Sequence, residues 1–100
     1  MIVIRNVFRL KFGKAREAVA LFKEGMAIQK RVGGGDFPAR LLTDMTGPFY
    51  TVVLELTAPS LTAFEAGAPQ LMGDKDWQAN YQKLAALVES GYREIFSIVE

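Results

Sequence analysis

The chain contains no cysteine and no histidine. Without cysteine there is no disulfide, no thiolate nucleophile and no iron–sulfur cluster held by protein sulfur. Without histidine, the commonest metal ligand and the usual general base near neutral pH are both missing. A Ser-His-Asp triad cannot be built, and haem held by His or Cys is excluded. Carboxylates alone can bind a cation, but these acids do not cluster at a recognisable loop spacing. No metal and no cofactor are therefore expected. Charge of one sign is also scarce. The net charge is +1, which gives no electrostatic reason to expect nucleic acid or an anionic membrane. No apolar run approaches the about 20 residues of a spanning helix. The opening "MIVIRNVFRL" alternates apolar residues with arginines and lacks a small-residue cleavage site, so it reads as a strand and a cytoplasmic protein is expected.

What is present is a 100-residue chain, half of it hydrophobic, the size of a single domain spanning residues 1–100. From Ile2 to Phe12 the residues alternate. Ile2, Ile4, Asn6, Phe8, Leu10 and Phe12 share one face; Val3, Arg5, Val7, Arg9 and Lys11 share the other. From Lys14 the period changes to that of an amphipathic helix with Ala18, Leu21, Phe22, Gly25, Ile28 and Val32 on one side. Gly33, Gly34 and Gly35 follow this helix. A phosphate-binding loop would have to precede one, because a helix N-terminus supplies the N–H groups, and no Gly-Lys-Ser/Thr is present. The triple glycine reads as a helix terminator and link, and Asp36–Pro38 as a turn. Strands are expected over Ala39–Met45 and Phe49–Thr57, with a Thr46-Gly47-Pro48 turn between them. Ser60 is the expected N-cap of a short helix, "LTAFEAG", and Pro69 and Gly73 interrupt the segment after it. Asp74 or Asp76 opens a second long helix with the stripe Trp77, Tyr81, Leu84 and Val88. Gly91 is expected to end it, and "YREIFSIVE" to form the last strand.

The order strand, helix, strand, strand, helix, strand is that of an α+β, ferredoxin-like βαββαβ fold. It implies a four-stranded antiparallel sheet in the order 4-1-3-2, with the helices on one face. The third strand carries apolar residues on both faces, and helices cover only one. The open face, with Phe49, Val53, Val3 and Val7, would leave an apolar patch. A second copy packed on it, a homodimer, is the expected remedy.

The stretches "RLKFGKAREAVALFKEG", "LLTDMTGPFYTVVLEL" and "SLTAFEA" resemble the dimeric α+β barrel superfamily, in particular its bacterial NIPSNAP-like branch. The resemblance spans nearly the whole chain. It implies a homodimer whose two sheets face each other as a barrel. The superfamily includes cofactor-independent monooxygenases, haem-degrading enzymes, chlorite dismutases and proteins without assigned activity. The histidine haem ligand of many haem-binding relatives has no counterpart here.

The candidate ligand pocket is Arg5, Asn6, Glu55, Trp77, Asn80 and Tyr81. Trp77 and Tyr81 are one helical turn apart with Asn80 beside them, which makes either an aromatic wall with polar handles or a core stripe. Asn6 sits on a face otherwise made of Ile, Phe and Leu; a buried amide must meet a ligand or be satisfied by protein. Arg5 and Glu55 suit a cross-strand pair, either an anion receptor with a base or an interface salt bridge. An RNA-recognition sheet would need an RNP1 pattern on the third strand, and "PFYTVVLEL" lacks it. The leading expectation is a small-molecule-binding or enzyme-accessory protein, taking a small apolar or aromatic molecule. A cofactor-independent monooxygenase or isomerase acting on an aromatic or polyketide-like substrate comes second, and a purely structural interaction module third.

Overall fold

The computed structural model describes residues 1–33 and 37–100. Alternation makes β1 (Ile2–Leu10), and Gly13, at φ +82°, turns the chain into α1 (Ala15–Val32). Gly33 closes α1 at φ +79°, its N–H donating to the Gln29 carbonyl over 3.2 Å, which is a left-handed helix terminus. The link proposed for Gly34 and Gly35, and the start of the Asp36 turn, lie outside the described residues. β2 (Ala39–Thr43) and β3 (Thr51–Ala58) follow. Two short helices, α2 (Leu61–Ala66) and α3 (Ala68–Met72), precede α4 (Lys75–Ala85) and β4 (Val88–Ser97).

The four strands form one antiparallel sheet in the order β2-β3-β1-β4, so the two central strands are the first and third, as the element order implies. The expected Ser60 cap forms, and of Asp74 and Asp76 it is Asp74 that caps α4. Ser60 accepts the Ala63 amide at 3.1 Å, and Asp74 accepts the Trp77 amide at 3.0 Å. The break between the short helices falls at Gly67, and Pro69 sits in the first turn of α3, where its missing N–H is harmless.

Several boundaries differ from the sequence reading: β1 ends at Leu10, not Phe12, and β2 at Thr43, not Met45, and two further shifts change what the residues do. β3 begins at Thr51, not Phe49. Phe49 and Tyr50 belong to the preceding turn, where Tyr50 has φ 60°. The turn is pinned by Asp44, which accepts the Thr51 amide at 2.9 Å, and by the Thr51 hydroxyl donating to the Pro48 carbonyl at 2.8 Å. At the other end, α4 stops at Ala85 and β4 starts at Val88. Gly91 is therefore a strand residue and not a helix terminus. A Cβ there would lie 2.9 Å from the Phe8 ring and 3.2 Å from the Val7 carbonyl, so the glycine makes room for the ring across the strand pair.

Even-numbered β1 residues face the helices. Ile4, Leu10 and Val52 are fully buried; Phe8 meets Phe22 of α1 at 5.2 Å, and Leu10 and Val52 pack with Ala18, Phe22 and Leu87. Ile4, Leu56 and Ala58 form a second cluster under Phe64 of α2. Odd-numbered β1 residues face away from both long helices.

Candidate functional site

The six candidate residues separate into three places. Arg5 and Glu55 are direct partners on β1 and β3, on the open face, with Arg5 Nε 3.4 Å from Glu55 Oε2. Their pair is part of something longer. Arg40 of β2 also pairs with Glu55, and Glu94 of β4 lies 3.3 Å from Arg5 Nη1. Arg40, Glu55, Arg5 and Glu94 stand in one rung across all four strands. Arg5 Nε is buried and, among the described residues, lacks an aligned acceptor.

Asn6 faces the helices. Its side-chain oxygen accepts from Arg93 Nε at 2.6 Å, and the Arg93 guanidinium lies 5.4 Å from the centre of the Phe64 ring. Asn6 is thus satisfied by its own cross-strand neighbour, with cation–π support from α2. Asn80 is buried between α4 and α1. Its amide nitrogen donates to the Leu21 carbonyl at 2.9 Å, and its oxygen fills the space where a Cβ on Gly25 would lie, 2.9 Å away. Gly25 and Asn80 together let the two helices close. Trp77 and Tyr81 stack at 5.2 Å with 25° between their planes, Tyr81 being exposed. These aromatics are on the helical layer and Arg5–Glu55 on the opposite side of the sheet, so the six do not converge on one cavity.

A substantial recess lies elsewhere. It is an open groove of about 790 Å3 between α1 and the turns that follow β1 and β2. Its apolar wall is Phe12, Ala15, Val19, Phe49 and Tyr50; Arg16 and Lys23 rise from α1 on one side and Asp44 stands on the other. Phe12 and Tyr50 meet edge to face at 4.6 Å and 65°, while Phe12 and Phe49 are highly exposed. A smaller recess of about 370 Å3 adjoins the same three aromatics toward Arg9, Lys11 and Glu89. The Tyr50 carbonyl accepts the Leu10 amide at 2.8 Å. This contact ties the left-handed turn to the end of β1. A non-glycine residue held at positive φ stores about 1–3 kcal/mol and persists only where its surroundings impose it. The sequence reading assigned Phe12 and Phe49 to strands and so missed this groove. The signal was the Gly47-Pro48 pair, which turns the chain just before two aromatics and denies them a place in the ladder.

Chemically, the groove offers apolar area of ligand size with two cations at its rim. The Asp44 carboxylate is already engaged by the Thr51 amide. Among the described residues no group of three or more acidic side chains is arranged to hold a metal ion, and no helix is long and apolar enough to cross a membrane.

No family model matches the sequence, and no curated protein matches it. Solved structures do. A NIPSNAP family protein from Agrobacterium tumefaciens is 28% identical over 99% of this chain and 93% of its own, with a TM-score of 0.87. An uncharacterized NIPSNAP domain protein from Burkholderia xenovorans is 20% identical over 99% of this chain and 95% of its own, with a TM-score of 0.86. SnoaB from Streptomyces nogalater, a cofactor-independent oxygenase, is 17% identical over 99% of this chain and 93% of its own, with a TM-score of 0.73. At 20% and 17% identity the likeness is one of fold alone. The backbone agrees with the resemblance carried by the sequence: this chain has the fold of the NIPSNAP-domain proteins, and the SnoaB-type oxygenases share it at a greater structural distance.

Proposed function

We propose that the protein is a small-molecule-binding protein of the NIPSNAP type, working in the cytoplasm as a homodimer, and that the ligand is a small apolar or aromatic molecule held in the groove at Phe12, Phe49 and Tyr50. The observation that carries this reading is that groove: about 790 Å3, walled by three aromatics of which two are largely exposed, beside a strained Tyr50. Exposed aromatics around a concave surface are costly to leave in water, and a ligand with a flat apolar body removes that cost. Dimerisation is supported by the open face of the sheet, where Tyr92 and Phe96 remain exposed.

The test is saturable binding of anilinonaphthalene sulfonate, an aromatic probe with one anionic group. One probe per chain is expected, lost in a Phe12→Ala, Phe49→Ala variant and kept in Phe96→Ala, which alters the opposite face. Binding that survives the groove variant would overturn the assignment.

A second reading, a cofactor-independent monooxygenase, is favoured by the shared fold of SnoaB, described as a cofactor-independent oxygenase. Oxygen consumption with a reduced polycyclic phenol, abolished by the same groove variant, would select it. In this chain Asn80 is engaged by the Leu21 carbonyl, so it is not the residue on which such an activity would rest.

A further inference from the structure

One wall of the groove at Phe12, Phe49 and Tyr50 is a face of α1 that presents Arg16, Val19 and Lys23. Arg16 and Lys23 are seven residues apart, which is two helical turns. They therefore share a side of the helix, with about 10 Å of rise between them. Val19 lies one turn from each and sets apolar surface between the two cations. Both side chains are long and exposed, so they can close that span on one group.

These two cations differ from the bases at the ends of α1. Lys14 meets Glu17 at 3.9 Å, and Arg31 reaches Asp74 and Asp76. Around Arg16 the positions three and four residues away hold Phe12, Gly13, Val19 and Ala20. Around Lys23 they hold Val19, Ala20, Met26 and Ala27. No acid stands where an ion pair along the helix could form. Glu17 and Glu24 follow the two cations directly and are turned about 100° away around the axis. Among the described residues neither Arg16 nor Lys23 makes an ion pair.

The opposite wall holds one acid, Asp44, whose Oδ1 accepts the Thr51 amide. The larger groove thus carries two positive charges and one negative. A ligand with a single negative charge brings that sum to zero, a neutral ligand leaves it positive, and a cation raises it. The aromatics ask for a flat apolar body. The planar fork of an arginine donates two parallel hydrogen bonds to a carboxylate, and an ammonium adds a point charge. Beside an apolar wall such bonds gain strength, because less water screens them.

We propose that the groove takes an aromatic carboxylate: a flat ring system against Phe12, Phe49 and Tyr50, with its one carboxylate held by Arg16 and Lys23 of α1. The inference rests on the groove reading above and narrows its ligand from an apolar or aromatic molecule to an aromatic acid.

The experiment uses naphthoic acid and naphthamide, which share a ring system. Near neutral pH the first is an anion and the second is uncharged. Dissociation constants are measured by calorimetry at about 0.15 M ionic strength, where charges farther than about 8 Å away are largely screened. Wild type is expected to bind the acid about tenfold or more tightly than the amide. In Arg16→Gln with Lys23→Gln the ratio should fall to near one. Glutamine is a good helix former and both sites are exposed, so the fold is kept, which circular dichroism checks. Lys75→Gln with Lys83→Gln removes two exposed cations from α4 and should preserve the ratio. Phe12→Ala with Phe49→Ala should weaken both molecules. Equal affinity for acid and amide, both lowered in the Phe12, Phe49 variant, would overturn the aromatic acid and leave the groove reading standing. A preference that survives the loss of Arg16 and Lys23, or that falls equally in the α4 variant, would overturn their role as the carboxylate's partners. Failure of both molecules to bind, or binding indifferent to Phe12 and Phe49, would overturn the groove reading and this inference with it.

Discussion

The two faces of the sheet are made from alternate residues of the same strands, yet they are held by different physics. The covered face is dispersion and burial: Ile4, Leu10 and Val52 are fully enclosed against Ala18, Phe22, Phe64 and Leu87. The open face keeps its centre closed with Val7 and Val53 but spends its next rung on four charges and leaves Tyr92 and Phe96 in water. A face that only had to stay hydrated would not carry those aromatics. A face that only had to be buried inside one chain would not carry a rung of Arg and Glu. The difference identifies the covered face as the part that makes the domain, and the open face as the part where the proposed homodimer would pack.

The comparison can be broken most forcefully at Ile4. Ile4→Ala on the covered face is expected to destabilise the chain by about 3 kcal/mol, from lost transfer energy and the cavity left behind. Phe96→Ala on the open face is expected to change the stability of the single chain by less than about 1 kcal/mol, because half of that ring is solvated already. Urea denaturation at low protein concentration reads both. Equal losses would mean that the open face also contributes to the chain's own core.

A medium effect is expected where the helical layer is closed by an amide. Asn80→Ala removes the bond to the Leu21 carbonyl and should cost about 1–2 kcal/mol. Gly25→Ala alone gains helix propensity, about 1 kcal/mol, but drives its Cβ into the Asn80 side chain. The double variant should be more stable than the sum of the two single changes, since the new methyl enters the space that Asn80 vacates. Additive losses would show that the two residues do not share that space.

The smallest effect concerns the edge of the helical layer, where charge takes over from packing. Arg31 at the end of α1 reaches Asp74 at 3.3 Å and Asp76 at 3.2 Å, the N-cap and first turn of α4. The Trp77 backbone amide, and then the Arg31 guanidinium, hold the Asp74 carboxyl below its ordinary value of 3.8. A depressed carboxylate contributes stability that is fully present above that ordinary value and is lost as the pH falls through the lower folded value. The fluorescence of Trp77, the chain's one tryptophan, should therefore change in that acid range before the covered core unfolds, and Asp74→Asn should remove the step. A wild-type signal that stays flat until global unfolding would place the cap outside the local acid response.

Much of this was legible in the sequence. Alternation from Ile2, helical spacing from Ala15, Gly33 as terminator, and Ser60 and Asp74 as caps are all settled within a few residues of chain, by steric and hydrogen-bonding rules that act locally. Arg5 and Glu55 could be paired because both occupy central strands and point the same way. Arg40 and Glu94 could not be added to them, because a rung depends on the register of edge strands set by turns of irregular length. Asn6 and Asn80 were visible as polar residues at apolar positions, but their partners lie 87 and 59 residues away along the chain.

The sequence by itself determined the elements, their order and the central placement of β1 and β3, because periodicity and caps are local and few topologies suit that order. Only the tertiary structure decided what meets what. It moved Phe49 out of β3 and into the groove wall, joined Gly25 to Asn80, set Arg93 over Phe64, and lined up four charges in one rung. Contacts of that kind depend on strand register and helix packing, which the chain settles only when distant segments compete for the same space.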